Sequence, residues 1–317
     1  MTRLDEKEII KIFQQSFGNK KFVSEDVEVF KIGKNFGVIK IDTLIESTDI
    51  PPQISLSEVA RKSIVACISD FAAKGVRPLY SIISISIPRR YSRIKLKEIA
   101  KGFRDVSKEF GFKILGGDTN EGKELVISVS FFGISKKISY RKGAKNGDSI
   151  IVTGQFGNTA AGLHLLLNGG TAGKEFVRKA KTAVFHSVPK LDFGISASKY
   201  FSSSMDSSDG LSTTLVEMAL QSKKKFVITN LPIDIELEKF AKKNKLSMLD
   251  LVFNGGEEYE IVGTTSPKNL EKIKQIARTY KVSLIEIGKV KNGCGVFLKD
   301  KSNDRKIKST GWLHFRN

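Results

Sequence analysis

The sequence predicts a two-domain α/β protein, and three observations support this fold class. The chain has 317 residues, enough for two domains of ordinary size that each bury a core. Segments with apolar residues at the helical period alternate with segments that have the strand period. A polar, basic and glycine-containing segment, SKKISYRKGAKNGD (135–148), interrupts this series. Such a segment is typical of a connection between two cores.

The first half of the chain opens with a helix and a hairpin. Residues 4–17 carry apolar side chains at helical spacing, which predicts an amphipathic helix. The runs VEVFKI (27–32) and FGVIKI (36–41) predict a β-hairpin, and Asp42 follows where the second strand is expected to end. A helix is predicted over about 56–74, where Gly75 ends it and Pro78 follows.

The remainder of this half continues the same order. LYSIISISI (79–87) alternates polar and apolar residues as a half-buried strand does. An amphipathic helix is predicted over about 95–110, and the short strand KIL (113–115) leads into the sequence GGDT. ELVISVSFFGI (124–134) is a further strand.

The second half again alternates strands and helices. SIIVTG (149–154) predicts its first strand, a helix begins near Asn158, and GVFLKD (295–300) is the last strand. The sequence contains neither a fixed-period repeat nor a low-complexity tract. We therefore expect an N-terminal domain of residues 1–140 and a C-terminal domain of residues 141–317.

The net charge of +19 is the most unusual feature of the composition. It is compatible with nucleic-acid binding, with a nucleotide substrate, or with a lysine-rich solvated surface. Only 12 of the 53 basic residues are arginine, the residue that reads base edges and phosphates in bidentate fashion. The basic clusters are short and lack neighbouring aromatic recognition segments. We therefore favour a solvated surface over a nucleic-acid interface.

Several protein classes do not fit this sequence. No run approaches the ~20 apolar residues of a membrane span. The N-terminal pattern differs from that of a secretory signal, so a cytoplasmic location is expected. Cys67 and Cys294 are far apart and have no metal-binding neighbours at a suitable spacing. Neither a disulfide framework nor a zinc site is indicated, and both cysteines are expected in the core.

Aspartates carry the strongest chemical signal, because most of them occur at predicted strand ends and turns. Asp26 precedes a strand, Asp42 ends one, and Asp118 follows one within GGDT. Asp206 and Asp209 share the turn MDSSDG ahead of a helix. Ligand-binding residues of α/β proteins collect at such positions.

Asp70 differs because it lies within the helix predicted over 56–74. Its helical neighbours include Ala66, Cys67 and Ala73, and no basic residue is assigned to this face. A buried carboxylate needs a compensating charge, so we expect a cation. Oxygen ligands without histidine or cysteine suit Mg²⁺ that is bound together with phosphate groups. For any single aspartate, a role as a helix cap or turn residue is the alternative.

Glycines near the acidic residues indicate that a ligand approaches the backbone. Gly116 and Gly117 precede Asp118, and a second glycine pair precedes Glu257. The segment GQFGNTAAG (154–162) offers backbone amides to a phosphate but lacks the GK[ST] ending of a P-loop. Neither a Walker A motif nor the motif set of protein kinases is present.

The chain carries eight short motifs: EDVEVF (25–30), IDTLIESTDI (41–50), ISDFAAKGVRP (68–78), LGGDTNEG (115–122), RKGAKNGDSIIVTGQFGNTAAGL (141–163), DSSDGLSTTL (206–215), NGGEEYEIVGT (254–264) and GWLHF (311–315). In order and spacing they resemble thiamine-monophosphate kinase over nearly the whole chain. The same superfamily includes aminoimidazole ribonucleotide synthetase, selenophosphate synthetase and a hydrogenase-maturation dehydratase. The resemblance implies an N-terminal mixed sheet that forms a barrel with its dimer mate, and a C-terminal α/β sandwich domain.

The resemblance also implies a reaction, in which the γ-phosphoryl group of ATP passes to the phosphate of thiamine monophosphate. Several Mg²⁺ ions and a homodimer are implied with it. A phosphate monoester is already a nucleophile, so the site needs positioning and charge neutralisation more than a general base.

Residue roles follow from the resemblance position by position. The implied metal ligands are Asp26, Ile41 (through its carbonyl group), Asp42, Asp70, Asp118, Asp206 and Asp209. The implied ATP contacts are Asp26, Gly117, Asp118, Arg141 and Ser208. The implied substrate contacts are Asp49, Glu257 and Trp312, although a packing role for Trp312 is an alternative. The implied catalytic residues are Asp118, Arg141 and Asp209.

The chain departs from the family pattern at three places. The family usually has Gly-Asp-Asp at SED (24–26), Ser-Thr at KI (40–41), and a substrate-site histidine at Asp49. A different phosphoryl acceptor, or another ATP-using activity of the superfamily, is therefore an alternative. A non-catalytic basic scaffold or nucleic-acid binder is the alternative from another class, but it would not need the aspartates.

Overall fold

The first half of the chain forms a five-stranded mixed sheet. The computed structural model describes residues 5–19, 22–300 and 304–312, so the end of the motif at 311–315 lies outside it. The strand order is β1-β2-β5-β3-β4, and only the last two strands run parallel. The strands are β1 (Glu28–Ile32), β2 (Asn35–Ile45), β3 (Pro78–Ile87), β4 (Lys113–Glu121) and β5 (Val126–Ser135).

One long helix, α3 (Leu56–Lys74), connects this sheet to the second half. Ser55 and Glu58 form a capping box at its start, and Gly75 ends it in the left-handed region at φ 70°. Almost all residues from Val59 onward are buried, because the helix contacts β2 and β5 on one side and the second half on the other. The predicted helix over 56–74 is confirmed. The other helices of this half are α1 (Glu6–Ser16), α2 (Glu46–Asp49) and α4 (Arg93–Phe110).

Two strands run further than the sequence predicted. β2 continues to Ile45, so Asp42 lies inside the strand, where it pairs with Val129 of β5. β4 continues through the glycine pair, so Asp118 lies inside it and pairs with Ser84 of β3. Ladder hydrogen bonds with the neighbouring strand outweigh the local turn preference of glycine at this place.

The second half forms a seven-stranded sheet in the order β12-β11-β8-β10-β6-β9-β7. Its strands are β6 (Ser149–Val152), β7 (Ser203–Asp206), β8 (Lys225–Ile228), β9 (Ile261–Thr265), β10 (Ile285–Lys291), β11 (Gly295–Leu298) and β12 (Arg305–Ile307). Its helices are α5 (Asn158–Leu167), α6 (Lys174–Phe185), α7 (Leu191–Ala197), α8 (Leu211–Ser222), α9 (Ile235–Lys243), α10 (Met248–Asn254) and α11 (Pro267–Thr279), with a 3-10 turn over Ser198–Tyr200. The two-sheet α/β architecture predicted from the sequence is confirmed.

Two hydrophobic cores underlie the two sheets. The first extends from the N-terminal sheet through α3 to residues of the second half such as Ile151 and Phe193, so α3 is shared between the halves. Cys67 is buried in this core, as predicted. Cys294 is exposed, so its predicted core position is wrong, because it lies in the turn between β10 and β11. Across the described ranges, no helix has the length and apolarity that a membrane span requires; the cytoplasmic location stays a prediction.

Candidate active site

Three buried aspartates from distant parts of the chain meet beside α3. Asp26 precedes β1, Asp70 lies on α3, and Asp206 ends β7. One carboxylate oxygen from each lies within 4.8 Å of the other two. They come together because α3 packs against both β2 and β7, the strand of the second sheet that ends in Asp206. We call this group the aspartate cluster.

Basic side chains neutralise one member of the aspartate cluster. Lys74, which is completely buried, places Nζ 2.9 Å from Asp26 Oδ2 and 2.8 Å from Glu25 Oε2. Arg141 Nε donates to Asp26 Oδ1 at 2.6 Å. Burial alone would raise the pKa of Asp26, but the charges of Lys74 and Arg141 outweigh burial and lower it. Asp26 is therefore ionised, and its charge is balanced by the protein itself.

The other two members of the aspartate cluster are less well balanced. Burial raises the pKa of Asp70 well above its usual range, although Lys40 opposes the change. Burial likewise raises the pKa of Asp206 to about 7, and Ser69 Oγ donates to its Oδ2 at 2.9 Å. In the part of the chain that the structure describes, Asp206 forms no ion pair with a basic side chain. An added cation would lower both pKa values and hold both carboxylates in the charged form.

Lys40 enters the same region from β2. Its Nζ lies 2.9 Å from Asp70 Oδ2 and 3.3 Å from Asp42 Oδ1. Lys40 and Asp42 are two residues apart on one strand, so their side chains share the face that packs on α3. Burial by itself would lower the pKa of the Lys40 ammonium, but the two carboxylates raise it well above its usual value. Lys40 is therefore a permanent positive charge inside the site.

The first sheet separates other predicted residues from the aspartate cluster. Asp42 and Gly117 occupy one cross-strand row, which faces α3, whereas Asp118 belongs to the next row and faces the opposite side. Asp118 is exposed, and its Oδ2 accepts a hydrogen bond from Asn120 Nδ2 at 2.6 Å. The side chain of Ile41 also faces outward and is 63% exposed. A single chain thus does not bring Asp118 to the aspartate cluster.

A large cavity of about 1500 Å³ opens beside the aspartate cluster. A pocket for one small ligand typically has about 300–1,000 Å³. The larger volume of this cavity leaves room for two ligands. The cavity brings together all three predicted substrate residues and two of the predicted ATP contacts, Arg141 and Ser208, whereas Asp26, Gly117 and Asp118 do not line it. Its lining includes Asp42, Asp49, Asp70, Arg141, Asp206, Ser208, Asp209, Glu257 and Trp312.

The predicted substrate residues differ in their surroundings. Glu257 adopts a left-handed backbone conformation at φ 62° and pairs with the buried Lys62 of α3. Asp49 Oδ2 accepts a backbone hydrogen bond from the last residue of β2 at 2.7 Å, so part of this carboxylate stabilises the turn. Trp312 is 55% exposed and is anchored through its backbone N–H to Asp209 O at 3.0 Å. Its ring therefore lines the cavity and is not buried in a hydrophobic core.

The sequence analysis gave no role in the site to three lysines that the structure places there. The expectation that Asp70 has no basic neighbour on its helix is wrong, because Lys74 lies four residues further along α3. Lys40 contacts Asp70 from another element, and only its alternation with Asp42 on β2 could have indicated this. Lys62 lies about two turns before Asp70 on α3, so the helical period places it on the same side of the helix and could have indicated it.

Comparison with known proteins gives a consistent result. Residues 24–135 match the family model for the N-terminal domain of AIR synthase related protein, and residues 145–301 match that for its C-terminal domain. Thiamine-monophosphate kinase of Nitrosopumilus maritimus is 55% identical over 316 residues, which cover 100% of both chains. Thiamine-monophosphate kinase of Pyrococcus horikoshii is 32% identical over 320 residues, covering 100% of this chain and 98% of that protein.

A solved structure supports the same assignment at the level of the fold. AaThiL complexed with AMPPCP and TMP superposes with a TM-score of 0.85 at 24% identity and covers 99% of each chain. The two family models, the full-length relatives and this superposition agree on both halves of the molecule. The chain therefore belongs to the thiamine-monophosphate kinase family of AIR synthase related proteins.

Proposed function

We propose that this protein transfers the γ-phosphoryl group of ATP to the phosphate of thiamine monophosphate, forming thiamine diphosphate and ADP. Membership of the family supports the activity, since both curated relatives named above are thiamine-monophosphate kinases. The observation that carries the proposal is the aspartate cluster, two of whose members, Asp70 and Asp206, line a cavity large enough for a nucleotide and a second phosphorylated substrate. Like-charged carboxylates gathered in this way suit a site that binds phosphates through cations.

Mg²⁺ fits the donor set of this site. Asp70 and Asp206 are buried carboxylates, and burial raises the pKa of each although Lys40 opposes the change. We propose that these two residues, with Asp42, hold the ions, and that Asp26 completes the cluster while paired with Arg141. Bound Mg²⁺ would neutralise the charge of the transferred phosphoryl group. Asp209, on the cavity wall, is a further proposed ligand.

The protein's own groups supply the positioning. Arg141 lines the cavity next to Asp26 and is the proposed partner of the ATP phosphates, together with Ser208. Trp312 offers an exposed ring against which a planar substrate ring can stack. The carboxylates of Asp49 and Glu257 favour the positive charge of a thiazolium ring. Because the acceptor phosphate is itself the nucleophile, none of these residues needs to remove a proton.

We further propose that two chains form a homodimer through the outer face of the first sheet. This face carries exposed apolar side chains, among them Ile39, Ile41, Tyr80 and Ile82. A monomer rarely leaves such a patch open to water. Asp118 lies on the same face, so packing of two such faces would carry it toward the partner. Gly117 and Asp118 would then bind ATP in a site shared between the two chains. We also propose that residues 1–140 and 141–317 are the two domains of each chain.

The test is direct detection of thiamine diphosphate by chromatography after incubation with MgATP and thiamine monophosphate, alongside a measurement of ADP. We expect both products in equal amounts and neither when Mg²⁺ is removed by EDTA. ADP without thiamine diphosphate would contradict the proposed acceptor. It would favour a different acceptor, the alternative that Asp49 introduces at the position of the family's histidine. Absence of nucleotide binding would contradict the kinase itself.

A further inference from the structure

We infer that the ammonium group of Lys40 occupies one cation position of the acidic site, so that this chain holds its nucleotide with one divalent ion fewer than its carboxylates alone would bind. The inference rests on the proposed magnesium site and concerns how that site is neutralised. A lysine in this place is an internal cation that cannot dissociate. It would make part of the site's charge balance independent of the concentration of Mg²⁺.

Geometry places the ammonium where an ion would bridge two carboxylates. Lys40 Nζ contacts Asp70 on α3 at 2.9 Å and Asp42 on β2 at 3.3 Å, so it joins the helix to the strand. These are oxygens of the residue types that Mg²⁺ prefers. A divalent ion bound to the same two oxygens would stand within a few ångströms of Nζ, and repulsion between the two cations would oppose it. Lys40 and an ion therefore compete for this position.

The backbone holds Lys40 in this position. Its strand partner in the β2–β5 ladder is Phe131, which is buried in the first core. The side chain of Lys40 starts from that core-facing row and only 22% of it is exposed. Turning the ammonium to solvent would move its aliphatic stem out of the packed face and leave Asp70 without its basic contact. Lys40 is thus a fixed part of the site and not a surface residue that happens to reach it.

The other buried cations of the site do not take this role. Lys74 and Arg141 both contact Asp26, and Lys74 also contacts Glu25. Asp70 and Asp42 are the carboxylates that Lys40 alone contacts among the ion pairs of the described residues. Replacing Lys40 by a neutral residue should therefore free one oxygen of each carboxylate, Asp42 Oδ1 and Asp70 Oδ2, for an additional ion, without altering the balance at Asp26.

The experiment counts bound ions directly. Mn²⁺ is titrated into the full-length protein with saturating AMPPCP, and free Mn²⁺ is followed by electron paramagnetic resonance. We expect Lys40→Ser and Lys40→Met to bind one more Mn²⁺ per chain than the wild type, and Lys40→Arg to bind the wild-type number. Lys97→Ser, an exposed change on α4, is the matched control and should also bind the wild-type number. Equal counts in all five proteins would overturn the inference.

Thermal unfolding without nucleotide gives a second readout that does not depend on activity. In EDTA, Lys40→Met should have a lower Tm than the wild type, and Mg²⁺ should restore it. The Mg²⁺ concentration that gives half of the Tm increase should be at least about tenfold lower for Lys40→Met than for the wild type, because two further carboxylate oxygens become available to an ion. A low Tm that Mg²⁺ does not raise would assign Lys40 a structural role only and overturn the inference.

Two outcomes separate this inference from the proposed function. If Lys40→Ser weakens AMPPCP binding but leaves the ion count unchanged, Lys40 is a phosphate ligand and the inference fails while the kinase stands. If the wild type forms no thiamine diphosphate but the variant still gains an ion, the inference stands and the proposed acceptor fails. If neither protein binds Mn²⁺ with the nucleotide, the magnesium site and the inference are both overturned.

Discussion

At the scale of single residues, Asp206 combines a cost to the fold with a proposed gain in function. Its carboxylate is buried near Asp26 and Asp70, and burial raises its pKa to about 7. Ionising it in the free protein is therefore unfavourable, and a bound cation would offset that cost. Residues of this kind stabilise a ligand complex at the expense of the empty protein.

We expect Asp206→Asn to keep or raise the Tm in EDTA while it lowers kcat/KM for thiamine diphosphate formation by about 100-fold or more. The amide keeps an acceptor for Ser69 Oγ and removes a buried charge. Thermal unfolding and the thiamine diphosphate assay measure the two effects. A Tm that falls by several degrees in EDTA with activity retained would instead show that Asp206 is a structural residue.

Glu258 is a second buried acid, outside the aspartate cluster, whose charge state depends on pH. Its Oε1 accepts hydrogen bonds from Gly157 N at 2.6 Å and Thr159 N at 3.3 Å, at the start of α5. Burial is the largest influence and raises its pKa from 4.5 to about 7 against these hydrogen bonds. Between these two values the folded protein binds a proton that the unfolded chain has released. The free energy of unfolding therefore falls as pH rises from 4.5 to about 7 and then stays lower.

Glu258→Gln should remove this dependence. At pH 8 the variant should unfold with a free energy about 1–3 kcal/mol higher than the wild type, because no charge is buried. At pH 5 the two proteins should agree within about 1 kcal/mol, since the wild-type carboxyl is then protonated in the fold. Urea denaturation at both pH values measures the difference. A gap of the same size at pH 5 and pH 8 would contradict the assigned pKa.

At the scale of secondary-structure elements, the pairing of β3 with β4 depends on one of two adjacent glycines. A Cβ added at Gly117 would lie 1.6 Å from the carbonyl oxygen of Ile83, its partner in the parallel ladder. A Cβ added at Gly116 would meet nothing within 4 Å. The sequence analysis assigned Gly117 to ATP binding; strand packing is a second, independent reason for a glycine here.

We expect Gly117→Ala to lower the free energy of unfolding by about 2–4 kcal/mol, because the strand backbones must move apart. Gly116→Ala is the matched control and should change it by less than about 1 kcal/mol. Urea denaturation followed by circular dichroism measures both. If the Gly117→Ala variant has wild-type stability but reduced affinity for ATP, close packing of β3 and β4 is not the reason for this glycine.

At the scale of the whole molecule, the outer face of the first sheet determines the proposed assembly. Ile82 is 53% exposed at the middle of this face, so Ile82→Lys should place a charge at the centre of a dimer interface. We expect a monomer by light scattering and a loss of thiamine diphosphate formation of at least about tenfold. Ile94→Lys on α4, at an exposed position remote from this sheet face, should leave both unchanged. A dimer that persists in Ile82→Lys would contradict the interface.

Mixed dimers test whether Asp118 serves the partner's site. Chains with Asp118→Asn and chains with Asp206→Asn should each be inactive alone. The two chains are co-expressed with different tags and purified together. One site of each mixed dimer then combines an intact Asp206 of one chain with an intact Asp118 of the other. If the two sites of a dimer act independently, we expect the mixed dimer to recover as much as about half of the wild-type activity. No recovery would place Asp118 in the site of its own chain, or outside it.

The sequence alone determined the two-domain α/β fold, the bounds of α3, the family and the aspartates that we propose as metal ligands. These follow from local signals, since caps, periodicity and short motifs are properties of neighbouring residues. Asp26, Asp70 and Asp206 were singled out in this way before any contact was known. The same local signals misplaced the ends of β2 and β4, because pairing with a neighbouring strand extends a strand beyond its own preference.

Only the tertiary structure decided which charges meet. Lys40 contacts Asp70 because the register between β2 and β5 turns one face of β2 toward α3. Asp118 points away from the aspartate cluster because strand side chains alternate, and a shift of one residue would reverse its side. Register is determined by burial of the whole sheet face and not by any residue near these positions in sequence. For that physical reason, the acidic residues proposed for the site could be identified from the sequence, while its lysines and its charge balance could not.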